Sequence, residues 1–204
     1  MQRYFRQLAR LFKPKPIELE GRKLYAACVD QARRPVFYLD YGVEDAIGAR
    51  FELLTFHVAL VIERLKAVAT DDPRHAQAHD LAQAVFDAFL GALDNTLREQ
   101  GTGDLSVPKK MKRLGTVIYT RMKRWDELWN EDAAARVNYA ARTVFAGSDY
   151  NDEEASGDGA MSEDVLRRAA AFAAYADAAR AQLDVDGLLR GQAVWADAPA
   201  LEQA

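Results

Sequence analysis

Residues 101–129 read GTGDLSVPKKMKRLGTVIYTRMKRWDELW, and the spacing of the apolar residues within them predicts a helix. The apolar side chains recur at steps of three or four, at Met111, Leu114, Ile118, Met122, Trp125 and Trp129. This spacing is one face of a 3.6-residue period. The cations lie off that face, at Lys109, Lys110, Lys112, Arg113, Lys123 and Arg124. The helix carries no catalytic signature, which favours a binding protein over an enzyme.

The cations of this basic helix have three interpretations. They form a solvated face, they contact the phosphates of RNA or a ribosome, or they recognise an acidic protein segment. The two tryptophans of the apolar face, Trp125 and Trp129, are expected in the core.

The same helical period recurs on both sides of this stretch, and no region alternates apolar and polar residues for long enough to predict a sheet. Helices are expected over about 21–34, 46–69, 73–98, 107–129, 133–145 and 163–183. Asp72 before Pro73, Asp132 and Ser162 are the predicted N-caps. We therefore expect an all-α, single-domain bundle of about six to seven helices, preceded by a short amphipathic N-terminal helix.

Three segments are expected along the chain. Residues 1–16 form a basic amphipathic segment, residues 17–183 the helical domain, and residues 184–204 a loosely attached tail. A polar, acidic loop is expected over about residues 147–160. The aromatic stretch 36–42 is expected to be a loop whose rings are held against the core.

Composition limits the class of protein. The 204 residues carry a net charge of -4 and one cysteine, Cys28, which excludes a disulfide framework and a cysteine-rich zinc site. No run reaches the length of a membrane-spanning helix, and neither a secretory signal nor a transit peptide is expected. Residues 1–34 hold nine Lys and Arg against three acids, which suggests an anionic partner or a solubilising surface.

The N-terminal segment has the pattern of a helix lying on an anionic membrane surface. Its apolar side holds Phe5, Leu8, Leu11 and Phe12, and its cations are Arg3, Arg6 and Arg10. A helix docked on the domain is the alternative, and Pro14 and Pro16 end it in either case.

The sequence contains little that indicates a catalytic site or a metal site. His75 and His79 share a helix face but lack the third ligand that a metal site needs. His57 beside an apolar stripe is typical of a hydrogen-bonded packing residue. We predict no catalytic residue, no metal and no cofactor.

Several blocks of sequence follow one another in an informative order. Near the start these are Leu24-Tyr25, Gln31-Ala32-Arg33-x-Pro35-x-Phe37-Tyr38 and Gly42-Val43. The central helix has Arg50-Phe51-Glu52-Leu53-Leu54 with His57, Val61 and Arg64-Leu65. The later blocks are Ala84-x-Phe86-Asp87, Arg98-Glu99-x-Gly101-x-Gly103-Asp104-Leu105, Val107, Lys109-Lys110-Met111-Lys112 and Tyr119-x-Arg121. In this order, over residues 24–146, they resemble the ubiquinol–cytochrome c chaperone family. One departure is Glu44-Asp45-Ala46, where the family tends to have Pro-Asp-Thr.

The resemblance implies an all-α, non-enzymatic assembly factor for the respiratory cytochrome bc complex. Its implied client is newly made cytochrome b, and its further implied partners are a small protein and the ribosome. The chain looks like a bacterial member, expected in the cytoplasm and peripheral on the cytoplasmic side of the inner membrane. A client groove is expected around Phe37, Tyr38, Tyr41, Arg50 and His57. The alternative function is a ribosome- or RNA-binding protein acting through the basic helix 107–129, and a small helical enzyme is a third.

Overall fold

The computed structural model describes residues 15–145, 161–199 and 201, and within them it contains eight helices and no strand. The helices are α1 Pro16–Ala32, α2 Pro35–Leu39, α3 Ile47–Lys66, α4 His75–Glu99, α5 Val107–Leu128, α6 Ala133–Thr143, α7 Glu163–Gln182 and α8 Val185–Leu189. Six of these have eleven residues or more, so the predicted all-α bundle is confirmed. The amphipathic helix predicted before Pro14 and the acidic loop predicted over 147–160 lie outside the described residues.

Helix α3 is the centre of the bundle, because fourteen of its twenty residues are buried. Helices α1, α4 and α5 pack around it, and α6 pairs with α7. α1 and α4 run parallel, since Gly21 lies against Ala84 and the Tyr25 ring stacks on Phe89 at 6.0 Å. A Cβ at Gly21 would stand 2.7 Å from the Cβ of Ala84, so only glycine permits this close approach.

Local hydrogen bonds explain where several helices begin and end. The Asp132 carboxylate accepts from the Ala135 amide at 2.8 Å, and the Ser162 hydroxyl accepts from the Val165 amide at 3.3 Å. Both predicted N-caps are confirmed. Gly101 follows α4 with φ of 77°, a left-handed conformation that glycine adopts without strain.

The predicted start of the fourth helix at Pro73 is wrong, because α4 begins at His75. The Asp72 carboxylate accepts from the Arg74 amide at 2.8 Å and also pairs with the Arg74 guanidinium. Asp72 therefore stabilises the turn before the helix and does not cap the helix.

The stretch 36–42 is also not the predicted loop throughout. Residues Pro35–Leu39 form the helical turn α2, with the proline in its first turn, where a missing N–H costs nothing. Its aromatics do lie against the core as expected, since Phe37 and Tyr41 are fully buried.

The prediction of a loosely attached tail after residue 184 is wrong for residues 185–199. Leu188 and Ala196 are buried, and the Trp195 ring lies 5.0 Å from that of His57. The Tyr41 hydroxyl donates to the Pro199 carbonyl at 2.8 Å. These contacts join distant parts of the sequence, so helical periodicity could not predict them.

Candidate functional site

An open, mainly apolar cleft lies where α1, α3 and α4 meet, next to α2 and to the start of α5. It has a volume of about 390 Å³. Its lining residues are Tyr25, Val29, Ala32, Arg33, Tyr38, Ile47, Arg50, Phe51, Leu54, Ala92, Leu93, Thr96, Leu97, Gln100 and Leu114. We call it the Tyr38 cleft. Within the described residues its charged lining groups are two arginines, Arg33 and Arg50, and it contains no acidic side chain.

Two of the predicted client-binding residues, Tyr38 and Arg50, meet at the rim of this cleft. The Arg50 guanidinium lies 6.0 Å from the centre of the Tyr38 ring, within the range of a cation–π contact. The Tyr38 hydroxyl donates to the Ala32 carbonyl at 2.9 Å, which fixes the ring between α1 and α3. Burial raises the pKa of Tyr38, so this hydroxyl remains a donor at neutral pH.

The other three predicted residues, Phe37, Tyr41 and His57, lie in the core, and all three are fully buried. The Phe37 ring contacts the rings of Tyr41 at 5.9 Å and His57 at 5.6 Å, both edge to face. These residues therefore belong to the aromatic core and do not line the cleft.

His57 belongs to a chain of buried hydrogen bonds. Its Nδ1 lies 2.7 Å from the Leu53 carbonyl, which only accepts, so Nδ1 carries the proton. Nε2 then accepts from the Tyr175 hydroxyl at 2.8 Å, and the same hydroxyl accepts from the Gln31 amide at 2.8 Å. Every member is satisfied with neutral groups. Burial lowers the pKa of His57 to about 4, which suits a packing residue and not a base working at neutral pH.

A second cleft of about 550 Å³ lies between α3, α4 and α5. Its lining residues are Ala59, Ile62, Glu63, Lys66, Ala67, His79, Ala82, Gln83, Phe86, Tyr119, Met122, Lys123 and Asp126. We call it the Tyr119 cleft, after its 67% exposed aromatic. Unlike the Tyr38 cleft, its rim carries charges of both signs, which makes it less suited to an uninterrupted apolar segment.

The six predicted cations of the basic helix fall into two groups along α5. Lys123 and Arg124 lie in its second half and pair with Glu127, and Arg124 also pairs with Glu131. Lys109, Lys110, Lys112 and Arg113 crowd its first two turns. Lys110 donates to the Thr102 hydroxyl at 3.1 Å, whereas Lys109 and Lys112 are exposed and have no partner among the described residues. The first turn contains no acid to match the helix dipole, so these cations do not stabilise the helix start.

A buried ion pair holds α5 against α3. The Arg121 Nε donates to both Glu52 carboxylate oxygens, at 2.9 and 3.0 Å, and the two side chains are 6% and 2% exposed. The two residues are 69 positions apart in the sequence, so spacing alone could not identify them as partners.

Cys28 and His75 are two further groups of a reactive type among the described residues. Burial raises the pKa of the Cys28 thiol, so this thiol is protonated and inert. His75 Nδ1 is bonded to the Val68 carbonyl at 2.8 Å. In the part of the chain that the structure describes, no three His, Cys, Asp or Glu side chains come together as metal ligands. No described helix has the length and hydropathy needed to cross a bilayer.

The sequence analysis missed most of the cleft wall contributed by α1 and α4. Val29, Leu93, Thr96 and Gln100 were not predicted as site residues. The sequence does not distinguish them, because a half-exposed apolar residue beside the buried face of a helix is common in any helical bundle. The predicted membrane residues Arg3, Phe5, Arg6, Leu8, Arg10, Leu11 and Phe12 lie outside the described residues.

Comparison with known proteins adds an independent line of support. The crystal structure of the Cbp3 homolog from Brucella abortus is similar, with a TM-score of 0.69 and 25% sequence identity over 97% of each chain. No curated protein matches the sequence significantly. The sequence pattern described as ubiquinol-cytochrome C chaperone matches residues 39–195, well over half of the chain. Compared with the stretch 24–146 identified above, the match begins later and continues further toward the C-terminus. The chain therefore belongs to the ubiquinol–cytochrome c chaperone family.

Proposed function

We propose that this protein is a non-enzymatic assembly chaperone of the respiratory cytochrome bc complex that binds newly made cytochrome b in the Tyr38 cleft. Family membership supports the general role. The observation that supports the site is an open apolar cleft of about 390 Å³ without an acidic lining residue among those described. Apolar surface left open in this way gains affinity by burying the side chains of an unassembled membrane helix.

The size of the cleft determines how such a client would bind. A whole α-helix is about 10 to 12 Å wide with its side chains, so the cleft receives one face of a helix and not its full thickness. Tyr38, Leu54 and Leu93 are half-buried and offer the contact surface. Seven of the fifteen lining residues also belong to the sequence blocks that resemble the family, namely Tyr25, Ala32, Arg33, Tyr38, Arg50, Phe51 and Leu54.

The experiment uses Ala92 on α4, which lines the cleft, and Ala76, which is exposed near the start of the same helix. Cytochrome b is made by cell-free translation without membranes, and the fraction that stays soluble with the tagged protein is measured. Ala92→Glu should lower that fraction about tenfold or more, because an apolar client would have to desolvate the carboxylate. Ala76→Glu should leave it unchanged. Equal capture by both variants contradicts the proposed site.

Substituting Phe37 would not test the client site, because the buried Phe37 ring supports the core. Loss of that ring would weaken folding and capture together. A Tyr38 variant is the informative one within the aromatic stretch.

We further propose that the protein acts peripherally on the cytoplasmic side of a bacterial inner membrane, with the ribosome and a small protein as its other partners. Lys109 and Lys112 are exposed cations that an anionic partner can reach. A pull-down from native membranes and ribosomes at low and moderate salt distinguishes the chaperone function from the alternative of a ribosome- or RNA-binding protein. Cytochrome b retained at moderate salt supports the chaperone function, whereas ribosomal proteins alone, lost as salt rises, support the ribosome-binding alternative.

A further inference from the structure

The Tyr38 cleft opens at one end of the bundle, which we call the cleft end. The C-terminal ends of α1 and α4 meet there with the N-terminal ends of α3 and α5. Arg33, Ile47, Gln100 and Leu114 line the cleft from these four helix ends. The side chains that follow α2 and precede α5 therefore surround the mouth of the cleft.

The most exposed aliphatic side chains are concentrated at this end. Leu105, just before α5, is 99% exposed, Leu39, at the end of α2, is 81% exposed, and Ile47, at the start of α3, is 66% exposed. No other large aliphatic residue in the described parts of the chain is as exposed as these three. Exposed apolar side chains that are grouped at one place on a protein mark an interaction surface, whereas single scattered ones need no explanation.

The same end carries the excess positive charge of α5. Lys109 and Lys112 are exposed and unpaired among the described side chains. The nearby acids Asp45 and Asp104 are matched by Arg50 and Arg98, at salt-bridge distance. Asp40, Glu44 and Glu99 also lie near this end and offset positive charge around them. The positive surface is therefore confined to the first two turns of α5.

We propose that the cleft end docks on an anionic lipid bilayer, with Leu105, Leu39 and Ile47 entering the interface and Lys109 and Lys112 on the headgroups. Interfacial binding uses this combination, in which apolar side chains enter the boundary and cations meet anionic headgroups. RNA accounts for the lysines but not for the aliphatics, since phosphate contacts are made by cations and stacking contacts by aromatics. Docking in this way turns the mouth of the Tyr38 cleft toward the membrane surface. The proposal rests on the peripheral membrane location proposed above, to which it assigns a surface, and it does not depend on client binding.

The test measures partition of the full chain onto phosphatidylcholine vesicles with and without phosphatidylglycerol, in the absence of any client. Lys109→Gln with Lys112→Gln should weaken binding to the anionic vesicles about thirtyfold, at about 1 kcal/mol for each lysine. Leu105→Ser should weaken it about tenfold, because a leucine side chain no longer leaves water. Arg22 and Arg190 are exposed cations at the other end of the bundle, and their paired change to Gln is the matched control.

The leucine variant separates a bilayer from a nucleic acid. If α5 binds RNA, Leu105→Ser leaves binding to purified ribosomes and to anionic vesicles unchanged, and the proposal is overturned. It is equally overturned if the Arg22 and Arg190 control loses as much vesicle binding as the lysine variant. Retained folding of each variant is checked by its thermal unfolding midpoint.

Discussion

At the scale of single residues, His57 illustrates how burial decides what an ionisable group does. Both of its ring nitrogens are bonded, one to the Leu53 carbonyl and one to the Tyr175 hydroxyl. The protonated ring could not accept from Tyr175, so protonation breaks the buried chain as well as burying a charge. Burial disfavours the charged ring and thereby lowers the pKa of His57 from 6.5 to about 4.

This shift makes the free energy of unfolding depend on pH. Because the unfolded chain binds the proton more tightly than the folded one, the stabilisation is complete above pH 6.5 and is lost as pH falls toward 4. We expect the free energy of unfolding to drop by about 2 kcal/mol between about pH 7 and pH 5 from this residue. Urea unfolding at both pH values measures it. His57→Gln should remove most of the drop, and the same substitution at the exposed His79 should keep it. A His57→Gln protein with the wild-type pH dependence would contradict the assignment.

At the scale of helices, the Glu52–Arg121 pair is the polar link between α3 and α5. Burying two charges is costly, and the cost is offset only because the Arg121 Nε reaches both carboxylate oxygens. The pair therefore fixes the register of the two helices and adds little net stability. Because α5 presents the lysines of the cleft end, this link also fixes their position relative to the Tyr38 cleft.

The two partners should consequently respond differently to single and double substitution. Arg121→Met should lower the free energy of unfolding by about 3 kcal/mol or more, because it leaves the Glu52 carboxylate buried without a partner. Glu52→Leu combined with Arg121→Met should recover most of that loss. Denaturant unfolding of the two single variants and the double variant forms the cycle. Additive losses in the double variant would show that the side chains are not coupled.

Sequence reading succeeded where structure depends on neighbours along the chain. The apolar period predicted the long helices, and Asp132 and Ser162 predicted two of their starts. The prediction of an N-cap at Asp72 was wrong, because the Asp72 carboxylate binds the amide and the guanidinium of Arg74 in the turn before the helix. For the cleft, Tyr38 and Arg50 were predicted and the α4 wall was not. That wall forms because α1 and α4 are parallel and pack against each other. Contacts between helices that are distant in sequence cannot be predicted from local sequence patterns.

At the scale of the whole molecule, the last described residues close onto the first helices. Arg34 after α1 lies 3.6 Å from Asp197, and the Tyr41 hydroxyl reaches the Pro199 carbonyl. Arg74 before α4 also pairs with Asp186 of α8 at 2.8 Å. The match to the family pattern ends at residue 195, at the tryptophan that packs on His57. The C-terminal segment is thus part of the fold and packs against the aromatic core around His57.

Trp195 should therefore matter to the stability of the bundle as a whole. Trp195→Ala removes an aromatic that packs edge to face on His57, and it should lower the free energy of unfolding by about 2 kcal/mol. Its neighbour Val194 is 60% exposed, so Val194→Ala should change stability by less than about 0.5 kcal/mol. Unfolding followed by circular dichroism compares the two. If the segment were a loose tail, both substitutions would be silent, whereas a cooperative loss of helix at lower denaturant in Trp195→Ala alone means that the segment unfolds with the core.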